Sequence, residues 1–186
     1  MLFSRWLGGW SAPWTTRFPA VADAAVLPPG TPQPQLLLKQ PVVALRASLA
    51  IRHIDVGSCG GPESELQLLT APPYDISRFG FVFTPSPRHA DLLLITGSLT
   101  EPMRAVLQET YRAMPAPKRV VALGACARAD CPLARAPESV ERLSAVIPVD
   151  VFVPGCPPPP AAIIAGLFLA VGRPVPALAG AAGMPR

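Results

Sequence analysis

The stretch DLLLITGSLTEPMRAVLQETYRAMPAPKRVVALGA, residues 91–125, decides the fold class. DLLLITG and RVVALGA are short, continuous apolar runs, which is typical of strands buried on both faces of a parallel sheet. The segment between them carries apolar residues at helical spacing: Met103, Val106, Leu107, Tyr111 and Met114. A buried strand, a helix and a second buried strand form the repeating unit of an α/β domain.

The same alternation continues on both sides of this stretch. Three further apolar runs predict strands: SLAIRHIDV (48–56), FGFVFT (79–84) and VDVFVPG (149–155). Three other segments predict helices: residues 63–70, ESVERLSA (138–145) and PPAAIIAGLFLAVG (159–172). We therefore expect an α/β domain with a doubly wound, flavodoxin-like parallel sheet over residues 46–173.

Proline and glycine crowd the two ends of the chain. Residues 1–45 are expected to form an irregular N-terminal extension and linker, and residues 174–186 a flexible tail. Within the extension, Trp6, Trp10 and Trp14 recur at four-residue spacing. They predict either an anchor on the membrane side or on a partner, or a leader that packs on its own domain.

Charge and hydropathy exclude some classes of function. The 16 basic and 12 acidic residues give a net charge of +4 without a dense basic run, and 6% of residues are aromatic. This favours a mildly basic, solvated surface and no nucleic-acid partner. We find no uninterrupted apolar run of about 18 residues and only a poor signal-peptide pattern, so we expect a cytoplasmic protein.

Cysteines follow three of the predicted strands. Cys59, Cys126 and Cys156 lie in GSCGG, GACA and PGCPPPP, and we expect them to converge because the carboxyl ends of parallel strands share one edge. Cys131 lies five positions after Cys126 and could reach the same region. Three or four thiolates suit an iron-sulfur cluster or zinc, and ligands from widely separated loops favour the cluster. Buried structural cysteines are the alternative.

Three segments resemble a known family: residues 51–103 (IRHIDVGSCGGPESE onward), PAPKRVVALGACA (115–127) and VIPVDVFVPGCPPPPAAIIAGL (146–167). They are similar to the small iron-sulfur subunit of energy-converting [NiFe]-hydrogenases and formate hydrogenlyases, and to the B subunit of NADH:quinone oxidoreductase. SPRHADLLLITGSLT and IPVDVFVPGCPP are the most specific strings. RHIDVGSC is closer to the hydrogenase branch than to the tandem-cysteine respiratory branch.

The resemblance implies one [4Fe–4S] cluster beside a catalytic or quinone-binding large subunit. It implies that Cys59, Cys126 and Cys156 are cluster ligands, whereas Pro62 stands at the fourth ligand position and has no ligating group. Cys131 is the expected replacement, with Asp130 as an oxygen ligand in reserve. The other outcomes are a three-thiolate site with an open or non-cysteine fourth position, and loss of the cluster.

The implied function is electron transfer within a membrane-associated, hydrogenase-like or complex I-like oxidoreductase, with no catalysis by this chain alone. The expected partners are a hydrogenase-large-subunit-like or complex I D-subunit-like protein, membrane-arm subunits and a ferredoxin-like subunit. The expected location is peripheral, on the inner face of the cell membrane. The alternative is a cluster-free structural subunit of such an ion-translocating complex.

Four further polar residues have a structural interpretation, a functional one, or both. Glu63 and Glu65, where the family carries acidic residues, suit either a proton or partner interface or stabilisation of a helix dipole. His53 is expected to be packed and hydrogen-bonded within a strand. By the resemblance, His89 belongs to an interface and not to a catalytic site.

Overall fold

The computed structural model describes residues 30–37, 48–128 and 143–175. The strands are β1 (Gln35–Leu36), β2 (Leu49–Asp55), β3 (Phe81–Phe83), β4 (Leu92–Thr96), β5 (Arg119–Leu123) and β6 (Val151–Val153). The α-helices are α1 (Gly61–Leu68), α2 (Glu101–Ala113), α3 (Leu143–Val146) and α4 (Pro160–Ala170). From β4 onward, strands and α-helices alternate along the chain as the apolar pattern predicts.

All six strands join one sheet in the order β1-β6-β5-β4-β2-β3. The strand pairs β3–β2, β2–β4, β4–β5 and β5–β6 are parallel. Strand β1 alone runs antiparallel, against β6. Counted along the chain, the five parallel strands stand in the order 2-1-3-4-5, which is the flavodoxin-like arrangement. The predicted fold class is therefore confirmed.

Both faces of the sheet are covered, which explains the continuous apolar runs of its central strands. Leu92 and Leu94 of β4 pack with α1 and α4, whereas Leu93 and Ile95 pack with α2 and α3. Successive side chains of a strand point to opposite faces, so a strand buried on both faces needs apolar residues throughout. All five residues of β4 and of β5 are buried.

Helix α4 is apolar and buried along nearly its whole length. It contacts β1, β5, β6 and α1. Gly166 allows the closest approach, since a Cβ at this position would lie 2.4 Å from Cγ2 of Val153. The helix therefore packs directly onto the sheet.

Strand β1 lies within the predicted linker and was not predicted from the sequence. Gln35 pairs with Phe152 and Leu36 with Val151, and the Leu37 amide donates to the Asp150 carbonyl at 2.8 Å. A two-residue strand is too short to show a period-2 pattern, so it forms only because the edge of β6 is available.

Several predictions fall outside the described residues. These are the tryptophans of the extension, residues 138–142 of the predicted third helix, and most of the predicted tail: Trp6, Trp10, Trp14 and the ranges 138–142 and 176–186. Within the described residues, none of the helices has the length and apolar character needed to cross a membrane.

We expect Gly166→Ala to destabilise the protein by roughly 1 to 2 kcal/mol. Overpacking a core costs about 1–3 kcal/mol, and the better helix propensity of alanine returns at most about 1 kcal/mol. Gly61→Ala is the matched control, because its Cβ would meet its nearest neighbour at 3.5 Å, an ordinary contact. Urea unfolding measures both variants, and equal stability of Gly166→Ala and wild type would contradict the packing described.

Candidate metal centre

One crevice at the carboxyl edge of the sheet collects the three predicted thiols. Cys59 follows β2, Cys126 follows β5 and Cys156 follows β6, and all three line this crevice together with Pro62. The strand order reverses between β2 and β4, and ligands of open α/β sheets bind at such a switch point. The predicted convergence of these residues is thus found in the structure.

The turn that carries Cys59 touches the turn after β4. Gly97 has φ 89°, and a Cβ there would lie 2.4 Å from the backbone carbon of Gly57 and from the nitrogen of Ser58. The Ser98 amide also donates to the Gly57 carbonyl at 3.1 Å. No side chain fits between the two turns, so glycine is required at position 97.

The turns that carry Cys126 and Cys156 are joined in the same way. The Ala125 amide donates to the Gly155 carbonyl at 2.9 Å, and these residues immediately precede the two cysteines. Cys126 itself lies in a short 3₁₀ turn, Ala125–Arg128. Two pairs of hydrogen-bonded turns therefore form the walls of the crevice.

Pro62 closes the crevice between these pairs of turns. It is buried in the first turn of α1, and its Cγ would lie 3.8 Å from a Cβ on Gly124. A Cβ on Gly61 would lie 3.5 Å from Sγ of Cys59 and 3.6 Å from Cβ of Pro157. The start of α1 thus lies next to both the β2 side and the β5–β6 side of the crevice.

The donor set of the crevice consists of the thiols of three cysteines, none of which forms a disulfide. Cys59 and Cys156 are exposed and Cys126 is half-buried. Ser58 is the other lining residue with a side-chain heteroatom, but its hydroxyl donates to Glu63 at 2.5 Å and accepts from the Gly60 amide at 3.0 Å. The described lining residues therefore fit three of the four ligand positions of a [4Fe–4S] cluster.

The fourth ligand position is not filled by the lining residues that the structure describes. Pro62 offers no donor, and Cys131 and Asp130 lie outside the described residues. Across residues 30–37, 48–128 and 143–175, no three His, Cys, Asp or Glu side chains are grouped so as to bind a single metal ion. The three thiols are thus neighbours in one crevice without forming a mononuclear site.

Glu63 ties the cysteine turn to the end of β4. Its carboxylate accepts the hydroxyl of Ser58 on Oε2 and the hydroxyl of Thr96 on Oε1. Burial opposes ionisation of Glu63, but these hydrogen bonds outweigh it, so its pKa lies below the ordinary value. The sequence predicts that Glu63 either stabilises a helix dipole or lies at an interface. It does not reveal that Ser58 and Thr96 are the hydrogen-bond partners of Glu63.

His53 extends this group of polar residues, as a packed and hydrogen-bonded residue of β2. Its Nε2 lies 2.9 Å from Oγ1 of Thr96 and 3.6 Å from Oε1 of Glu63. Burial lowers the pKa of His53, although the carboxylates of Glu63 and Asp55 act in the opposite direction. His53 and Glu63 line an open cavity of about 390 Å³ beside α1, whereas His89 is exposed.

The class of protein is an α/β domain with a flavodoxin-like sheet and three thiols at the switch point of that sheet. Comparison with known proteins identifies the family. The family NADH ubiquinone oxidoreductase, 20 Kd subunit, matches residues 59–170 of this chain. The chain belongs to this family. The matched range begins at Cys59 and contains Cys126 and Cys156, and the resemblance found in the sequence is confirmed.

Three relatives illustrate the range of the family. The chain is 43% identical over 121 residues to a probable membrane-bound hydrogenase subunit of Pyrococcus furiosus, covering 65% of this chain and 72% of that protein. It is 34% identical over 151 residues to formate hydrogenlyase subunit 7 of Escherichia coli, covering 77% and 59%. It is 47% identical over 105 residues to the B subunit of the NADH-quinone oxidoreductase of Heliobacterium modesticaldum, covering 56% and 60%.

A solved structure extends the likeness to three dimensions. A chain of the membrane-bound sulfane sulfur reductase, an archaeal respiratory membrane complex, is 35% identical to this chain with a TM-score of 0.60. The match covers 68% of this chain and 70% of that chain. The described α/β domain is therefore similar in both sequence and fold to a subunit of a membrane complex.

We expect acid to destabilise the protein partly through His53. The unfolded chain takes up this proton near pH 6.5, whereas the folded chain does so only at a lower pH. The free energy of unfolding should therefore fall as the pH drops below about 6.5 and recover as the pH rises again. His53→Gln removes this titration and should flatten the decline between pH 7 and pH 5 in urea unfolding.

His89→Gln is the matched control, since the chain has two histidines and His89 is the exposed one. It should keep the decline of the wild type. Equal pH profiles for His53→Gln and wild type would show that burial of His53 is not coupled to folding.

Proposed function

We propose that this chain is an electron-transfer subunit of a hydrogenase-like or complex I-like membrane oxidoreductase and that it carries one [4Fe–4S] cluster. The observation that carries the proposal is that Cys59, Cys126 and Cys156 line one crevice at the switch point of the sheet. The named relatives support it, because they are subunits of a membrane-bound hydrogenase, a formate hydrogenlyase and an NADH-quinone oxidoreductase.

The origin of the thiols in three separate turns favours a cluster over a single zinc ion. Four thiolates on one zinc, at about 2.3 Å each, stand only about 3.8 Å apart, and such sites draw paired cysteines from short local loops. A cubane distributes its thiolates over four irons and accepts ligands that stand farther apart. The crevice cysteines come from three separate strand ends, after β2, β5 and β6.

Cys131 is the fourth ligand in this proposal, in place of the ligand that Pro62 cannot supply. Five residues of extended chain span at most about 17 Å, so the loop after Cys126 is long enough to return Cys131 to the crevice. Asp130 is the oxygen ligand in reserve. The alternative within the same function is a three-thiolate site with an open or non-cysteine fourth position.

The chain's own residues hold the redox group and leave the substrate chemistry to a partner. When bound, a [4Fe–4S] cluster supplies one-electron transfer. The glycine turns place the three thiols at the crevice, and Pro62 and Pro157 line its walls with apolar surface. Because Cys59 and Cys156 are exposed at its mouth, we propose that the partner covers this edge and exchanges electrons there.

The proposed partners follow from the complexes to which the relatives belong. They are a hydrogenase-large-subunit-like or complex I D-subunit-like protein, membrane-arm subunits and a ferredoxin-like subunit. We propose a peripheral position on the inner face of the cell membrane. We also propose that residues 1–45 bind on the membrane side or to a partner subunit.

Anaerobically purified complex should contain iron and acid-labile sulfide in the ratio of a [4Fe–4S] cluster. It should show an electron paramagnetic resonance signal when the cluster is reduced. The substitutions Cys59→Ser, Cys126→Ser and Cys156→Ser should each lower the iron content at least severalfold, since serine is a poor ligand for cluster iron. Cys131→Ser should convert the signal to a three-iron form. An unchanged spectrum in Cys131→Ser would remove Cys131 from the ligand set without affecting the other three.

A second candidate function is a cluster-free structural subunit of the same kind of complex. The observation that favours it is that Pro62 is buried within the crevice where the resemblance places a ligand. In this case the complex should lack iron and sulfide attributable to this subunit, and Cys126→Ser should leave assembly and activity unchanged. Iron uptake that requires both Cys126 and Cys156 would contradict it.

A further inference from the structure

We propose that Glu63 is the positioning residue of the Cys59 thiol and that it acts through the hydroxyls of Ser58 and Thr96. This rests on the proposed ligand role of Cys59. The inference concerns a carboxylate that does not itself line the crevice, although its hydrogen-bonded partner Ser58 does.

The Cys59 turn is fastened at its start by Asp55 and at its end by Ser58. Oδ1 of Asp55 accepts the amides of Gly57 at 2.8 Å and Ser58 at 2.7 Å. Oγ of Ser58 accepts the amide of Gly60 at 3.0 Å. Cys59 is therefore held between two anchored residues, and the orientation of its thiol depends on the hydroxyl of Ser58.

The hydroxyl of Ser58 is in turn oriented by Glu63, at 2.5 Å. A serine hydroxyl has one proton, and donating it to the carboxylate leaves the oxygen free to accept from the Gly60 amide. Glu63 thus determines which way Ser58 points and, through the Gly60 amide, the path of the backbone around Cys59.

Thr96 holds Glu63 in place from the sheet. Its side chain is fully buried at the end of β4, and its hydroxyl donates to Oε1 of Glu63. Because the single hydroxyl proton is used there, Oγ1 accepts from Nε2 of His53 at 2.9 Å, which assigns the proton of the neutral imidazole to Nε2. The order of donors is therefore His53 to Thr96 and Thr96 to Glu63.

Only an ionised carboxylate satisfies both hydroxyls at once. Glu63 accepts on both of its oxygens, whereas a glutamine at this position would accept on one and donate from the other. The residues that orient a metal ligand determine its geometry as much as the ligand itself. A role limited to the helix dipole would require no such pair of acceptors.

Hydrogen exchange in the cluster-free chain tests the anchoring directly. Thr96→Val, which keeps the shape and removes the hydroxyl, and Glu63→Gln should each accelerate exchange of the Gly60 amide by about tenfold or more, as expected when the Ser58 hydroxyl loses its hydrogen bond to a charged group. Thr96→Ser should restore the wild-type rate. Wild-type rates in both Thr96→Val and Glu63→Gln would overturn the inference.

Glu65→Gln is the matched control, because Glu65 lies on the same helix and its carboxylate is not a partner of Ser58 or Thr96. Its exchange rates should equal those of the wild type, and an equal acceleration in Glu65→Gln would overturn the specific role of Glu63. In chains loaded with iron and sulfide, Glu63→Gln and Thr96→Val should alter the electron paramagnetic resonance g-values, whereas Thr96→Ser and Glu65→Gln should not.

The two proposals fail separately. Absence of a cluster signal in the wild type contradicts the proposed function, and exchange at Gly60 still decides whether Glu63 fixes the turn. A normal cluster signal with wild-type exchange and g-values in Glu63→Gln contradicts the positioning role alone.

Discussion

Backbone contact between the turns after β2 and β4 is the constraint on which the crevice depends. Gly97 approaches Gly57 and Ser58 so closely that a Cβ would lie 2.4 Å from backbone atoms of both. This contact brings the Cys59 turn against the neighbouring strand end, and Glu63 and Thr96 then hold it there by hydrogen bonds. Glycine at position 97 is thus a requirement of the site and not only of a turn.

The start of α1 makes the site both compact and unusual. Gly61 and Pro62 lie next to both sides of the crevice, so the start of this helix stands between the β2 turn and the turns after β5 and β6. Proline is well tolerated in a first helical turn, because its missing amide has no partner there in any case. Its presence at position 62 therefore costs the fold little while it removes a donor from the site.

The burial of both faces of the sheet is consistent with the flavodoxin-like topology and with membership of the 20 Kd subunit family. The strands that bear the cysteines are covered on both faces, by α1 and α4 on one side and by α2 and α3 on the other. A sheet covered in this way exposes only its edges, and the carboxyl edge is where the thiols lie. Function is thereby confined to the loops, while the apolar strands and helices maintain the scaffold.

The sequence by itself determined the parallel sheet, its long helices and the convergence of three cysteines, since these follow from apolar periodicity and from the rule that parallel strands end at one edge. It did not predict β1, whose two residues become a strand only against the free edge of β6. Nor did it predict that Glu63 would bind Thr96, 33 positions away. Local patterns encode local structure, whereas a hydrogen bond between distant residues exists only after the sheet has brought them together.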